Sequence, residues 1–178
     1  MDHTDHVNLL RRANLVPGVY ADLGAGSGAF TLALRELVGS DSTLYAVNTD
    51  RSSLDKLEKA HRARFHSTEN LLLLPNDFSR PLSLSPLDGV VIANSLHFFK
   101  DKITILRHVR AWLKPNAPLI LVEYNVDKGN LWVPHPLTFE TWQTLAPQAG
   151  FDTPRLLAKA PSSFLKEFYS AVTYRIDR

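Results

Sequence analysis

The stretch Val19-Tyr20-Ala21-Asp22-Leu23-Gly24-Ala25-Gly26-Ser27-Gly28 constrains this chain more than any other. An apolar, strand-like run ends on an acid, a Gly-x-Gly-x-Gly turn follows, and a helix-like segment runs from Ala29 to Val38. A strand that feeds a helix through so tight a turn points to alternating α/β architecture. Gly24 and Gly26 allow backbone angles and close ligand approach that a side chain would block. The turn leaves free N–H groups at a helix start, where a ligand carboxylate or phosphate can be held. Asp22 adds a carboxylate at the strand end, suited to a cationic or hydroxylated ligand. Together these features read as the site of a nucleotide-type ligand.

The rest of the chain continues the alternation. Asp2 to Asn14 reads as a short helix with Val7, Leu9 and Leu10 facing inward, and Gly39 closes the helix that carries Phe30, Leu32, Leu34 and Leu37. Thr43–Val47 is a second strand, and Asp50 to about Ala63 a helix with Leu54 and Leu57 at helical spacing. Asn70–Leu74 is apolar on both faces, the pattern of a buried parallel strand. Pro81–Pro86 reads as a loop, Asp88–Asn94 as a fourth strand, Ile103–Leu113 as a helix and Pro118–Tyr124 as a fifth strand. Phe139, Trp142 and Leu145 mark a last helix, closed by Gly150. Arg155–Lys159 and Phe168–Tyr174 are the final strands, joined by a segment short enough for an antiparallel hairpin. The alternation predicts an α/β fold with a doubly wound, mostly parallel sheet in one domain over residues 1–178.

Two kinds of cofactor turn fit the first motif. Gly24, Gly26 and Ala29 satisfy the dinucleotide fingerprint Gly-x-Gly-x-x-Gly/Ala. Asp22-Leu23-Gly24-Ala25-Gly26-Ser27-Gly28 more closely resembles the Asp/Glu-x-Gly-x-Gly-x-Gly signature of class I S-adenosylmethionine (SAM)-dependent methyltransferases. A carboxylate beside a pyrophosphate repels it, whereas SAM carries an ammonium and a sulfonium. Three further segments extend the resemblance over nearly the whole chain. Tyr45-Ala46-Val47-Asn48-Thr49-Asp50 stands where the family holds the ribose, with Asn48 in the usual acidic position and Asp50 able either to substitute or to cap the next helix. Asn48 and Arg51 also suit an NADP phosphate, which favours the dinucleotide alternative. Asp77 and Phe78 match the family's adenine-amino acceptor and ring-packing pair. Asp88 to Phe99 resembles its Asp-x-Val-x-x-x-Asn-x-Leu-His segment, with Asn94 and His97 at the cofactor edge, and Lys114-Pro115-Asn116-Ala117 resembles its exit from the fourth helix. The resemblance implies a seven-stranded sheet in the order 3-2-1-4-5-7-6 with strand seven antiparallel, in agreement with the terminal hairpin. The cofactor residues it implies are Asp22, Gly24, Gly26, Gly28, Asn48, Asp50, Asp77, Phe78 and Asn94, and no metal.

Substrate contacts are expected from His97 and Phe98, Tyr124, and the Asn125–Pro136 segment with Trp132 and His135, a candidate lid at the carboxyl edge of the sheet. The N-terminal segment, residues 1–14, is a second element able to close the pocket. His97, His135 and Tyr124 are the candidate bases. Ser95-Leu96 stands where adenine-N6 and glutamine methyltransferases carry prolines, which argues against those substrates. The chain has no cysteine, which excludes disulfides, thiolate metal sites and methyltransferase chemistry through a thiol. Its net charge of +2 is scattered, without the basic stripe of a nucleic-acid binder. No apolar run reaches the ~18 residues of a membrane span, and no secretory pattern is visible, so the expected location is the cytoplasm. The expectation is thus a methyltransferase acting on a small molecule. An RNA or protein methyltransferase, a non-catalytic SAM-binding protein and an NAD(P)-binding protein are the alternatives, and a homodimer is left open.

Overall fold

The computed structural model describes residues 1–177. Helix α1 (His3–Arg11) starts at a capping box in which Asp2 accepts from the Asp5 amide and Asp5 bonds back to the Asp2 amide. It ends before the expected Asn14, whose φ of 50° leaves the helical region. Strand β1 (Val19–Leu23), helix α2 (Ala29–Val38), β2 (Thr43–Val47), α3 (Arg51–Phe65), β3 (Leu71–Leu74) and β4 (Gly89–Ala93) follow. Then come a one-turn 3-10 helix at Leu96–Phe98, α4 (Lys102–Trp112), β5 (Pro118–Tyr124), α5 (Phe139–Gln148), β6 (Arg155–Ser162) and β7 (Lys166–Tyr174). Asn70 stands outside β3 because it adopts φ 59°.

The seven strands form one sheet in the order β3-β2-β1-β4-β5-β7-β6, with β7 antiparallel to both neighbours and the remaining pairs parallel. This is the expected architecture. The terminal hairpin is longer than its apolar runs suggest, because pairing continues through Ala160↔Phe168 to Ser162↔Lys166. Pro161 is tolerated there because β6 is an edge strand. No helix links β3 to β4; the proline-rich segment crosses instead as a loop and tucks Leu82 and Leu84 against the core.

Successive residues of a strand face opposite sides, so β4 sends Val90 and Ile92 to one apolar layer and Val91 to the other. The first layer packs α4 and α5 through Leu106, Val109 and Trp142, and the second packs α1, α2 and α3 through Leu10, Leu34 and Leu57. Every parallel strand therefore ends at the same edge. The order reverses between β1 and β4, where open α/β sheets form their ligand crevice. Among the described residues, no helix is long and apolar enough to cross a membrane.

Candidate functional site

A cleft of about 460 Å³ lies at that edge, within the range of small-ligand sites. Gly24 and Gly26 line it from the end of β1, Asn48 and Thr49 from β2, Asn76 to Phe78 from β3, and Asn94, Ser95, Phe98 and Phe99 from β4. Gly26 has φ +52°, and a Cβ built there meets no atom within 4 Å, so its backbone faces open space. Gly28 has a packing role: its Cβ would come within 2.5 Å of Leu57 Cγ, so the glycine lets α2 start against α3. Asn48 secures the turn, accepting from the Gly26 amide at 3.3 Å and donating to the Asp50 carbonyl at 3.3 Å.

At one end of the cleft, Asp77 Oδ1 accepts from the Ser79 amide at 2.8 Å, and Oδ2 bonds no protein group among the described residues. Phe78 meets Phe99 edge to face at 5.1 Å between ring centres, giving that end an aromatic lining. At the other end, Asn94 adopts φ 50°, and its buried Oδ1 has no protein partner among the described residues. An unpaired buried acceptor is costly. Ser95 braces the corner by donating to the Leu23 carbonyl at 2.7 Å.

Asp22 and Asp50 do not line the cleft. Asp22 is 2% exposed and accepts from Thr31 Oγ1 at 2.6 Å, tying the end of β1 to the first turn of α2. Burial pushes its carboxyl up to about 6 against the pull of the Thr31 bonds. Asp50 caps α3, accepting from the Ser52 and Ser53 amides at 3.1 Å each and from the Ser53 hydroxyl at 2.6 Å. Those bonds hold its carboxyl below the usual range.

The β4 turn brings His97 against a partner that sequence reasoning missed. Glu123, wholly buried near the end of β5, accepts from His97 Nδ1 at 3.0 Å on each oxygen, from the His97 amide at 3.3 Å and from the Tyr124 amide at 3.2 Å. A lone acid near the end of the apolar strand Pro118–Tyr124, at the edge that carries ligands, was the available signal. Lys102, also buried, closes the same turn by donating from Nζ to the Phe99 carbonyl at 2.7 Å. Burial lowers its pKa, against the raising influence of the Glu123 charge. Tyr124 stands 6.1 Å from the His97 ring and Phe98 4.4 Å from it. The Asn125–Pro136 segment is pinned to this corner: the His135 amide donates to the His97 carbonyl at 3.0 Å, and Val133 is buried. The His135 side chain is exposed, and Trp132 is 71% exposed.

A family model described as a methyltransferase domain matches residues 21–119, from the first glycine turn into β5. The chain belongs to this class I, SAM-dependent methyltransferase family. SAM is the cofactor that this membership carries, and the fold is shared with remote relatives. The methyltransferase is similar to the YcgJ protein from Bacillus subtilis, with a TM-score of 0.79, 12% identity and coverage of 99% of this chain and 100% of that one. It is also similar to magnesium protoporphyrin IX methyltransferase from Synechocystis with bound S-adenosylhomocysteine, with a TM-score of 0.75, 13% identity and coverage of 97% and 81%. By sequence it is similar to demethylmenaquinone methyltransferase of Geobacillus stearothermophilus, 27% identical over 118 residues, which are 65% of this chain. The match spans about half the length (50%) of that curated relative.

Proposed function

We propose that the protein transfers a methyl group from SAM to a small-molecule acceptor that gives up a proton, with His97 as the base and Glu123 as the group that orients it. The observation that carries this reading is the buried His97–Glu123 pair at 3.0 Å, set beside the glycine-turn cleft. The cleft's own groups fit the cofactor. The open backbone at Gly26 admits close approach, and the unpartnered Asn94 Oδ1 suits the ammonium of the methionyl part. Asn48 lines the cleft and suits a ribose hydroxyl, and Asp77 Oδ2 with Phe78 suits adenine. Asp22, Gly28 and Asp50 act behind the lining by holding the turn and the two helix starts that shape it. When bound, SAM supplies a sulfonium-activated methyl group, and the electron pair of the broken C–S bond stays on sulfur.

The chain's own contribution is alignment and proton removal. A carboxylate that receives two backbone N–H groups accepts from the imidazole as well, so Nδ1 carries the proton and Nε2 the lone pair. Nε2 has no protein partner among the described residues. It is the atom that takes the acceptor's proton, and Glu123 steadies the imidazolium so formed. Packing by Phe98 and Tyr124 around the ring excludes water from that step.

Calorimetric titration tests the cofactor. S-adenosylhomocysteine should bind and NADP should not; NADP binding without S-adenosylhomocysteine binding would refute the reading. A radiolabelled methyl-transfer screen on metabolite extracts then finds the acceptor. On that acceptor, His97→Asn should lose about 10²–10⁴-fold in turnover while keeping S-adenosylhomocysteine affinity.

A further inference from the structure

The two most exposed large apolar side chains among the described residues are neighbours in the chain: Leu131 is 87% and Trp132 71% exposed. They form the tip of a turn in the Asn125–Pro136 segment. The turn holds its own shape. Asn130 Oδ1 accepts from the Trp132 and Val133 amides at 2.9 Å each, and the Asn130 amide donates to the Val133 carbonyl at 3.0 Å. A Cβ at Gly129 would overlap the Pro134 carbonyl, so the two limbs of the turn touch. Buried Val133 and the bond from the His135 amide to the His97 carbonyl fix the turn to the body of the protein. A set backbone therefore holds the Leu–Trp pair out in water. Phe98, the residue after His97, is 59% exposed at the same edge of the sheet, where it lines the cofactor cleft.

We propose that this tip docks on a lipid surface, with Leu131 and Trp132 entering the headgroup boundary and the edge that carries the cofactor cleft turned toward the lipid. An aromatic side chain covers about 150–250 Å², so one Trp and one Leu supply well under the ~800 Å² that each side of a stable protein interface buries. Asp127, Lys128, Asn130 and His135 around them are exposed and polar, so the tip does not widen into a larger apolar patch. A lipid surface needs no matching shape. It takes protruding side chains singly, and an indole, with its apolar body and one N–H, settles at headgroup level. The charge around the tip fits a neutral surface: Asp127 stands beside Lys128, and Asp101 beside Lys100, so neither sign prevails. Binding therefore draws on apolar burial, and it needs no anionic lipid. The protein lies on the surface in this arrangement, and none of its described helices spans it.

The test mixes the protein with sucrose-loaded phosphatidylcholine vesicles and reads the bound fraction by sedimentation. Binding should be reversible and half-complete at no more than about 1 mM lipid, near the marginal strength of a single acyl chain. It should be the same at low and high salt. Trp132→Ala and Leu131→Ser should each weaken it about tenfold, the loss of one large apolar side chain's burial, while the melting temperature stays that of the parent. Trp142 is buried and Trp112 half-buried, so Trp132 reports directly. Vesicles should shift tryptophan emission to the blue, brominated lipid should quench it, and both effects should vanish in Trp132→Ala. No binding at several times that lipid concentration overturns the inference. So does binding that needs anionic lipid and falls with salt, or binding that both variants leave intact. Dimerisation without lipid that Trp132→Ala abolishes makes a second copy the occupant and equally overturns it. Neither the acceptor nor methyl transfer enters these measurements, so their failure leaves the methyltransferase reading standing.

Discussion

Asp22 shows how a single residue can be costly to the fold and useful to the site. Its carboxyl is buried, with the Thr31 hydroxyl at 2.6 Å, and titrates at about 6 in place of 3.8. The native state therefore keeps this proton to a higher pH than the unfolded chain does. The contribution of this one proton to native stability is full below pH ~4, is lost as pH rises through ~6, and is flat above that. The loss amounts to about 3 kcal/mol. Asp22→Asn should remove it, so the variant is expected to be more stable at pH 7 and equal to the parent at pH 4. Urea unfolding of both proteins across that range measures the difference, and a constant gap between the curves would contradict the assignment. The glycines divide in the same way. Gly26→Val meets open space at a φ of +52°, so it should abolish S-adenosylhomocysteine binding at a cost of only about 1–2 kcal/mol in stability. Gly28→Ala would press on Leu57, so it should lower the melting temperature by the equivalent of about 1–3 kcal/mol. Thermal melts paired with calorimetry separate the two.

At the scale of elements, the start of α3 gives Asp50 and Asn48 different surroundings. Asp50 spends its oxygens on the Ser52 and Ser53 amides, whereas Asn48 faces the cleft. Asp50→Ala should cost about 1 kcal/mol as a lost cap, seen as a lower melting temperature. Asn48→Ala should instead weaken S-adenosylhomocysteine by about 1–3 kcal/mol, with little change in melting. The reverse pattern would return the ribose contact to Asp50. Caps of this kind are legible in sequence because their partners are two and three residues away. The His97–Glu123 pair was not legible. Its members are separated by α4 and joined only when β4 and β5 lie side by side.

For the whole molecule, the alternation of strands and helices and the final hairpin were enough to anticipate a doubly wound, mostly parallel sheet, and the order of its strands came from the family resemblance. The helix α1 was harder to place. It packs on α2 and on β6, which lie far apart in the chain, and it buries Val7, Leu9 and Leu10 there. It is thus part of the core. A ligand that binds the native state alone should stabilise all of it together. S-adenosylhomocysteine at a hundredfold excess over Kd adds about 2.7 kcal/mol, which for a chain of this size is a melting-temperature rise of about 5–11 °C. NADP at the same concentration should leave the melt unchanged. Trp132→Ala should also leave it unchanged, since that ring is exposed and surface substitutions usually fall within about 0.5 kcal/mol.

The sequence by itself determined the fold class, the terminal hairpin and the turn that a cofactor approaches. Those depend on periodicity and on short-range backbone requirements, which are written in consecutive residues. Only the tertiary structure decided which acids line the cleft. Asp22 and Asp50 were indistinguishable from cleft residues until packing turned one inward to Thr31 and the other onto a helix start. Glu123 looked like an ordinary strand residue until β5 carried it beneath His97. Tyr124 and Phe168 likewise meet only because β7 runs back antiparallel beside β5. Burial, and the pairing that it enforces, depends on contacts between residues distant in the chain, and no local pattern encodes those.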